Sequence, residues 1–184
     1  MSVEPWITLR REPLGDYRIF RLRRDFKRSP RTGEEHDFYV LEAPEWVNVV
    51  ALTPDRRLIL VEQFRHGTET VELEIPGGVR DPGDPDPVAT GIRELREETG
   101  YEGRRARLLQ SLAANPAILT NLCHVVLIED CELRHPTEFD HAEDLVTRLV
   151  PLDEVPALIA SGRIRHSIVV AALHLFALAR PSGQ

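Results

Sequence analysis

Hydrophobic and polar positions change their period several times along this chain, and each change marks an element. WVNVVAL (46–52) and LILVEQF (58–64) are apolar, β-branched runs, and the TPDRR between them carries turn chemistry, so the pair predicts a hairpin. VELEIPGG (71–78) alternates apolar and acidic residues, as a half-buried strand does, then breaks at Pro76, Gly77 and Gly78. Further strands are predicted near ARLLQSLA (106–113), CHVVLIED (123–130) and DLVTRLV (144–150). Two helices follow, near 152–162 and from about His166 to Arg180. The first 45 or so residues are charged and arginine-rich, with strand-like pieces at YRIFRL (17–22) and DFYVLEA (37–43). The order is mostly strands, with one helix in the middle and two at the end. It predicts an α/β fold, a mixed sheet covered by helices. Residues 1–45 read as an N-terminal β-strand region, either a small separate sheet or a dimerisation arm, and 46–184 as the main domain.

The middle helix is the best defined. Asp86 before Pro87 is a strong helix start, and Gly100 is a natural left-handed residue just past the end, so the helix should run from about Pro87 to Thr99. Val88, Ile92, Leu95 and Thr99 fall on one stripe, predicted to pack on the sheet. Glu94, Glu97 and Glu98 then project from the far side, where like charges cost a few tenths of a kcal/mol per pair. A solvated acidic face, neutralised by Arg93 and Arg96, would explain them. Two features point elsewhere: the glycine-broken strand end IPGG can bring backbone to the same carboxylates, and Gly91 offers room for close approach beside Glu98. Three carboxylates and a nearby carbonyl make a hard oxygen site suited to Mg²⁺ or Mn²⁺.

Composition narrows the partners. A formal net charge of −7 argues against nucleic acid or an anionic membrane, because both reward a basic surface, although a polyanionic ligand fits if metal supplies positive charge. No apolar run reaches the roughly 20 residues of a membrane helix and no signal-peptide core is evident, so a cytoplasmic location is the expectation. Cys123 and Cys131 match no zinc or redox spacing and read as reduced thiols.

The segment GGVRDPGDPDPVATGIRELREETGY resembles the Nudix box: a glycine, five residues, a glutamate, seven residues, then Arg-Glu-apolar-any-Glu-Glu-any-Gly-apolar. Arg93 to Tyr101 fit its second half residue by residue. The first half departs, since five intervening residues lead from Gly78 to Asp84 in place of a glutamate, and eight residues then separate it from Arg93. The resemblance implies a Nudix-type α/β/α sandwich with a mixed sheet and metal-dependent hydrolysis of a nucleoside diphosphate linked to another moiety. It makes Glu94, Glu97 and Glu98 metal ligands, joined by the carbonyl of Gly77 or Gly78, and Arg93 a brace for a box glutamate.

The flanks look like the branch of that family acting on ADP-ribose and other nucleoside diphosphate sugars. VEQFR (61–65), LEIPGG and Pro116 within AANPAILTN carry this likeness. It implies substrate contacts for Arg65 and Glu74, with Pro116 as the marker of the substrate loop. A general base is implied on the acidic stretch HPTEFDHAED, with Glu143 preferred over Glu138, Asp140 and Asp144. Trp46 and Trp6 are candidate stacking platforms for a base. His66 and His124 read as structural, and a homodimer is expected.

Overall fold

The computed structural model describes residues 2–139 and 144–180, which fall into two units: Met1–Pro44 with Ala113–Leu122, and Glu45–Leu112 with Cys123–Gln184. In the first unit β1 (Ile7–Asp16), β2 (Arg21–Arg28) and β3 (Glu35–Glu42) form an antiparallel meander. Strand β1 lies at the edge of this sheet and accommodates Pro13 and Gly15 with a register shift between them. YRIFRL, expected as a strand, is mostly the turn between β1 and β2. Arg18 there has φ 68°, and the Tyr17 N–H donates to the Phe20 carbonyl at 2.9 Å. Asp25 is buried and explains part of the arginine richness, since Arg23 Nε donates to it at 2.8 Å. The stretch AANPAILTN joins this unit: the Leu41 N–H donates to the Ile118 carbonyl at 2.7 Å, and the Thr120 N–H to the Leu41 carbonyl at 3.1 Å.

The second unit contains, in chain order, β4 (Trp46–Leu52), β5 (Arg57–Arg65), β6 (Thr70–Glu74), β7 (Gly77–Val79), α1 (Pro87–Thr99), β8 (Tyr101–Glu102), β9 (Arg105–Ala113), β10 (Leu122–Glu129), β11 (Glu132–Leu133), β12 (Leu145–Pro151), α2 (Val155–Ala160) and α3 (Ser167–Ala179). The main sheet runs β12-β5-β4-β10-β9, with β4 and β10 parallel and β5 antiparallel to both β4 and β12.

The predicted hairpin closes only at its turn, where Ala51 faces Ile59 and Leu52 faces Leu58. Beyond that the two strands take different partners: β6 pairs with β5, and β7 pairs with β4. VELEIPGG is therefore two strands, and the break at Pro76 lets the chain cross from one to the other. This crossing sets Gly77 beside Asn48 and Gly78 beside Val47.

Period-two alternation along β4, β5 and β10 feeds two cores. Val47, Val49, Ala51, Ile59, Val126 and Ile128 face α1 and its Leu95. Val50, Leu52, Leu58, Leu60, Val125 and Leu127 face α2 and α3, which contribute Val155, Val169, Ala172, Leu173 and Phe176. The sheet thus lies between α1 and the α2–α3 pair, the expected α/β/α sandwich.

Helix α1 has the expected ends. The Asp86 carboxylate accepts from the Val88 and Ala89 N–H groups at 2.9 Å each, and Gly100 has φ 74°. Its facing differs from the expectation. Ile92 is 44 % exposed, whereas Gly91, Glu94, Leu95 and Glu98 are buried. Gly91 explains the rotation: a Cβ there would lie 3.2 Å from Val126 Cβ and 3.3 Å from Val49 Cγ2. The missing side chain lets the helix settle on the sheet, not a ligand approach the helix, and the turn carries two of the glutamates toward β7.

Candidate metal and substrate site

The acidic cluster forms where α1 passes the glycines of β7. Glu98 is 3 % exposed and accepts the Gly77 N–H at 3.0 Å. Glu94 is 8 % exposed, and its carboxylate lies so close to Gly78 that a Cβ there would come within 2.6 Å of it. A Cβ on Gly77 would sit 2.1 Å from the Val47 carbonyl oxygen. The sheet thus requires glycine at position 77, whereas at position 78 a side chain would displace the Glu94 carboxylate. Glu97, on the next flank of the helix, is half-buried.

Arg93 organises these acids. Its guanidinium reaches Glu94 Oε1 at 3.0 Å, Glu97 Oε2 at 2.9 Å and Asp84 Oδ2 at 3.0 Å, and donates to the Val79 carbonyl at 3.2 Å. Burial works against the charged form of Arg93, but Asp84, Glu94 and Glu97 outweigh it and raise its pKa further. Asp84, the residue at which the box pattern departs, is the counter-ion at the other end of the guanidinium. The Arg93 hydrogen bond lowers its carboxyl pKa, and it also accepts the Asp81 N–H at 3.1 Å. The longer loop still delivers a carboxylate to the arginine that braces the box.

These oxygen donors suit a hard divalent cation. Among the described residues no three acidic, histidine or cysteine side chains stand together as a finished cage, since Glu94 and Glu97 turn to Arg93 and Glu98 to the Gly77 N–H. The fit lies in two carboxylates taken out of water at one point, beside a strand edge from which glycine has removed all side-chain bulk.

Gly77 and Gly78 also edge a cavity of about 710 Å³ on the α3 side of the sheet, lined further by Trp46, Asn48, Arg65, Glu74 and His166. Arg65, its side chain 42 % exposed, makes a forked pair with Glu74 through Nε and Nη2 at 3.0 and 2.8 Å. Glu74 is 3 % exposed, and His166 Nδ1 lies 3.0 Å from Oε2, the oxygen that also accepts from Arg65 Nη2. Burial alone would raise the Glu74 pKa, yet hydrogen bonds from His166 and Arg65 hold it at about 2. Strand β6 is covered on both faces: Leu73 is buried in the core, and the acids beside it are buried too. Val71 is 55 % exposed while Glu72 and Glu74 turn inward, and Arg165 grips Glu72. Arg165 and His166 were not anticipated, although the run RIRH before the last helix was the available signal.

Trp46 is half-buried on the cavity wall, as a stacking platform requires. Trp6 and Pro116 belong to the other unit, where Trp6 packs edge-on against Phe38 at 5.4 Å and Pro116 is exposed. Glu143 and Asp140 lie outside the described residues. Glu138, an alternative within the described residues, donates its N–H to the Glu97 carbonyl at 2.8 Å. His66 stacks edge-on with Phe64, and His124 is buried in a hydrogen-bond chain considered below. Cys123 and Cys131 are free and buried, with thiol pKa values raised by burial to about 11 and about 12.

The model of the NUDIX domain matches residues 42–173. The chain belongs to the Nudix family. This Nudix pyrophosphohydrolase is 30% identical over 172 residues to an ADP-ribose pyrophosphatase of Mycobacterium tuberculosis, covering 93% of this chain and 83% of that one. It is 31% identical over 126 residues to an ADP-ribose pyrophosphatase of Bacillus subtilis, covering 68% of each. A methanol dehydrogenase activator of Bacillus methanolicus is 30% identical over 174 residues, covering 93% and 92%. Among solved structures, that of an ADP compounds hydrolase superposes with a TM-score of 0.86 at 24% identity, covering 97% of this chain and 95% of that one, a likeness of fold.

Proposed function

We propose that this Nudix enzyme hydrolyses the pyrophosphate bond of ADP-ribose or a related nucleoside diphosphate sugar, giving a nucleoside monophosphate and a sugar phosphate. The observation carrying this reading is that Gly77 and Gly78 contact Glu98 and Glu94 on one side and edge the 710 Å³ cavity on the other. A diphosphate at that edge would leave one of its arms in the cavity. The relatives named as ADP-ribose pyrophosphatases support the substrate class.

In this reading Glu94, Glu97, Glu98 and a carbonyl of Gly77 or Gly78 hold Mg²⁺ or Mn²⁺. When bound, the metal offsets phosphate charge and makes water a better nucleophile at neutral pH. Arg93 fixes the rotamers of Glu94 and Glu97, so the carboxylates are aimed before the ligand arrives. Glu74 and His166 hold Arg65 at the cavity wall, where a guanidinium can meet phosphate or ribose oxygens, and Trp46 offers a flat apolar face to a base. Glu143, close in sequence to the segment anchored on Glu97, is the proposed proton acceptor for the attacking water.

A panel of ADP-ribose, other nucleoside diphosphate sugars, nucleoside triphosphates, dinucleoside polyphosphates and coenzyme A, assayed with Mg²⁺, tests this. AMP and ribose 5-phosphate should accumulate fastest from ADP-ribose or a neighbouring nucleoside diphosphate sugar, and chelator should abolish the signal. Faster release from a triphosphate, a dinucleoside polyphosphate or coenzyme A would overturn the substrate class.

A further inference from the structure

His124 is a polar residue in an otherwise apolar stretch of β10, 6 % exposed, and the chemistry above makes no use of it. Its ring is held at both nitrogens: Nδ1 lies 2.8 Å from Ser111 Oγ on β9, and Nε2 lies 3.2 Å from Glu45 Oε2 just before β4. The carboxylate of Glu45 can only accept, so Nε2 carries the proton shared with it, while Nδ1 meets a serine hydroxyl able to donate or accept. The same Glu45 oxygen receives Arg80 Nη1 at 3.0 Å, and the Glu45 carbonyl accepts the Arg80 N–H at 2.9 Å. Arg80 is thereby fixed in both backbone and side chain at the end of β7.

From there the guanidinium reaches into the loop before α1, with Nη2 3.5 Å from both the Asp84 and Pro85 carbonyls. Asp84 in turn holds Arg93, which holds Glu94 and Glu97. A continuous chain of polar contacts therefore runs from the buried imidazole to the box glutamates. It passes through the loop that is one residue longer than the box pattern, where extra length would otherwise loosen the placement of Asp84. Carboxyl groups along the way are lowered in pKa: Glu45 by the His124 contact first and by Arg80, Asp84 by Arg93 first.

We propose that His124 is a positioning residue for the metal-binding glutamates, acting through Glu45 and Arg80 on the 81–86 loop that carries Asp84. The bland alternative is a histidine that merely pins β9 to β10, with no reach beyond Glu45. The two differ in what a substitution moves. A pin changes stability, whereas a positioning chain changes how tightly the glutamates take a cation. Removing a residue that orients a ligand costs about 10–100-fold in metal affinity or activity.

The proposal rests on Glu94, Glu97 and Glu98 forming the metal site, and the test separates the two ideas. Mn²⁺ is titrated calorimetrically into the full chain as wild type, His124→Leu, His124→Gln and Arg80→Met, with thermal unfolding of each recorded without metal. Gln can place an N–H where Nε2 stands, so His124→Gln should bind Mn²⁺ within a few-fold of wild type. His124→Leu and Arg80→Met should bind at least about tenfold more weakly. The Mg²⁺ concentration for half-maximal hydrolysis should rise in the same proportion, while the KM for substrate at saturating metal stays unchanged. Arg80 is only half-buried, whereas His124 is 6 % exposed, so Arg80→Met reports even if His124→Leu does not fold. Unchanged Mn²⁺ affinity in Arg80→Met overturns the positioning role while leaving the metal site intact. A wild type that binds no Mn²⁺ overturns both.

Discussion

Two groups of buried glutamates lie at this site, and they are provisioned differently. On β6, Glu72 and Glu74 meet a cationic side for each carboxylate: Arg165 on Glu72, and Arg65 with His166 on Glu74. On α1, one guanidinium is divided among several acids, since Arg93 reaches Asp81, Asp84, Glu94 and Glu97. Glu98 faces a backbone N–H. Taking carboxylates out of water is costly unless charge and hydrogen bonds compensate. The β6 pair has its compensation built into the chain and reads as architecture. The α1 acids divide the Arg93 guanidinium among them, and the proposed divalent cation would add positive charge at that point.

The sharpest break of this comparison is at Glu98. Glu98→Gln should lower hydrolysis by more than the roughly hundredfold that losing a mere support would cost, with Tm held or raised because one buried charge is gone. A steady-state assay beside a thermal melt checks both, and an active Glu98→Gln enzyme would remove the acid cluster from the chemistry.

Arg93→Lys comes next. A lysine keeps the charge but cannot fork between Asp84 and Glu97, so metal affinity should fall by about 10–100-fold. Mn²⁺ titration gives the number, and an affinity equal to wild type would show that charge alone, not geometry, holds the glutamates.

Gly78→Ala sharpens the contrast from the backbone side. Its methyl would meet a side-chain carboxylate that can swing, so metal binding should weaken several-fold with little change in Tm. Gly77→Ala, whose methyl meets the Val47 carbonyl at 2.1 Å, should instead lower Tm.

The smallest effect is expected on the β6 side. Glu74→Gln should cost about 1–3 kcal/mol of stability in denaturant unfolding at neutral pH. Its pH signature has a definite sign. The folded pKa of about 2 lies below the ordinary 4.5, so the contribution is full above about pH 4.5 and disappears as pH falls through about 2. The stability difference between wild type and Glu74→Gln should therefore narrow on acidification. A difference that is flat from pH 7 to pH 2 would mean the carboxylate is not what the cations hold.

Much of this was legible in local sequence. The span of α1, both its caps and the acidic triplet at i, i+3 and i+4 follow from Asp86-Pro87, Gly100 and the 3.6-residue period, because these depend on neighbours in the chain. The positions of β4, β5, β9, β10 and β12 and of the last helix were read from the same short-range signals. Local signals failed where partners are distant. VELEIPGG read as one half-buried strand of alternating apolar and acidic residues. It is two, with Glu72 and Glu74 inward, because Arg65 and Arg165 cover them, the latter from 93 residues away. Periodicity alone put Ile92 on the packed stripe. Gly91 overrode it, since close contact with Val49 and Val126 rotates the helix toward its small residue.

The sequence by itself therefore determined the box helix, the types and spacing of its carboxylates, and the family to which they belong. Tertiary structure decided which of those carboxylates leave water, which glycine each one meets, and how Asp84 still reaches Arg93 from a lengthened loop. The reason is physical. Caps and helical phase are set by atoms within a few residues, whereas burial, counter-ions and close backbone approach are set by whichever strand the fold lays alongside.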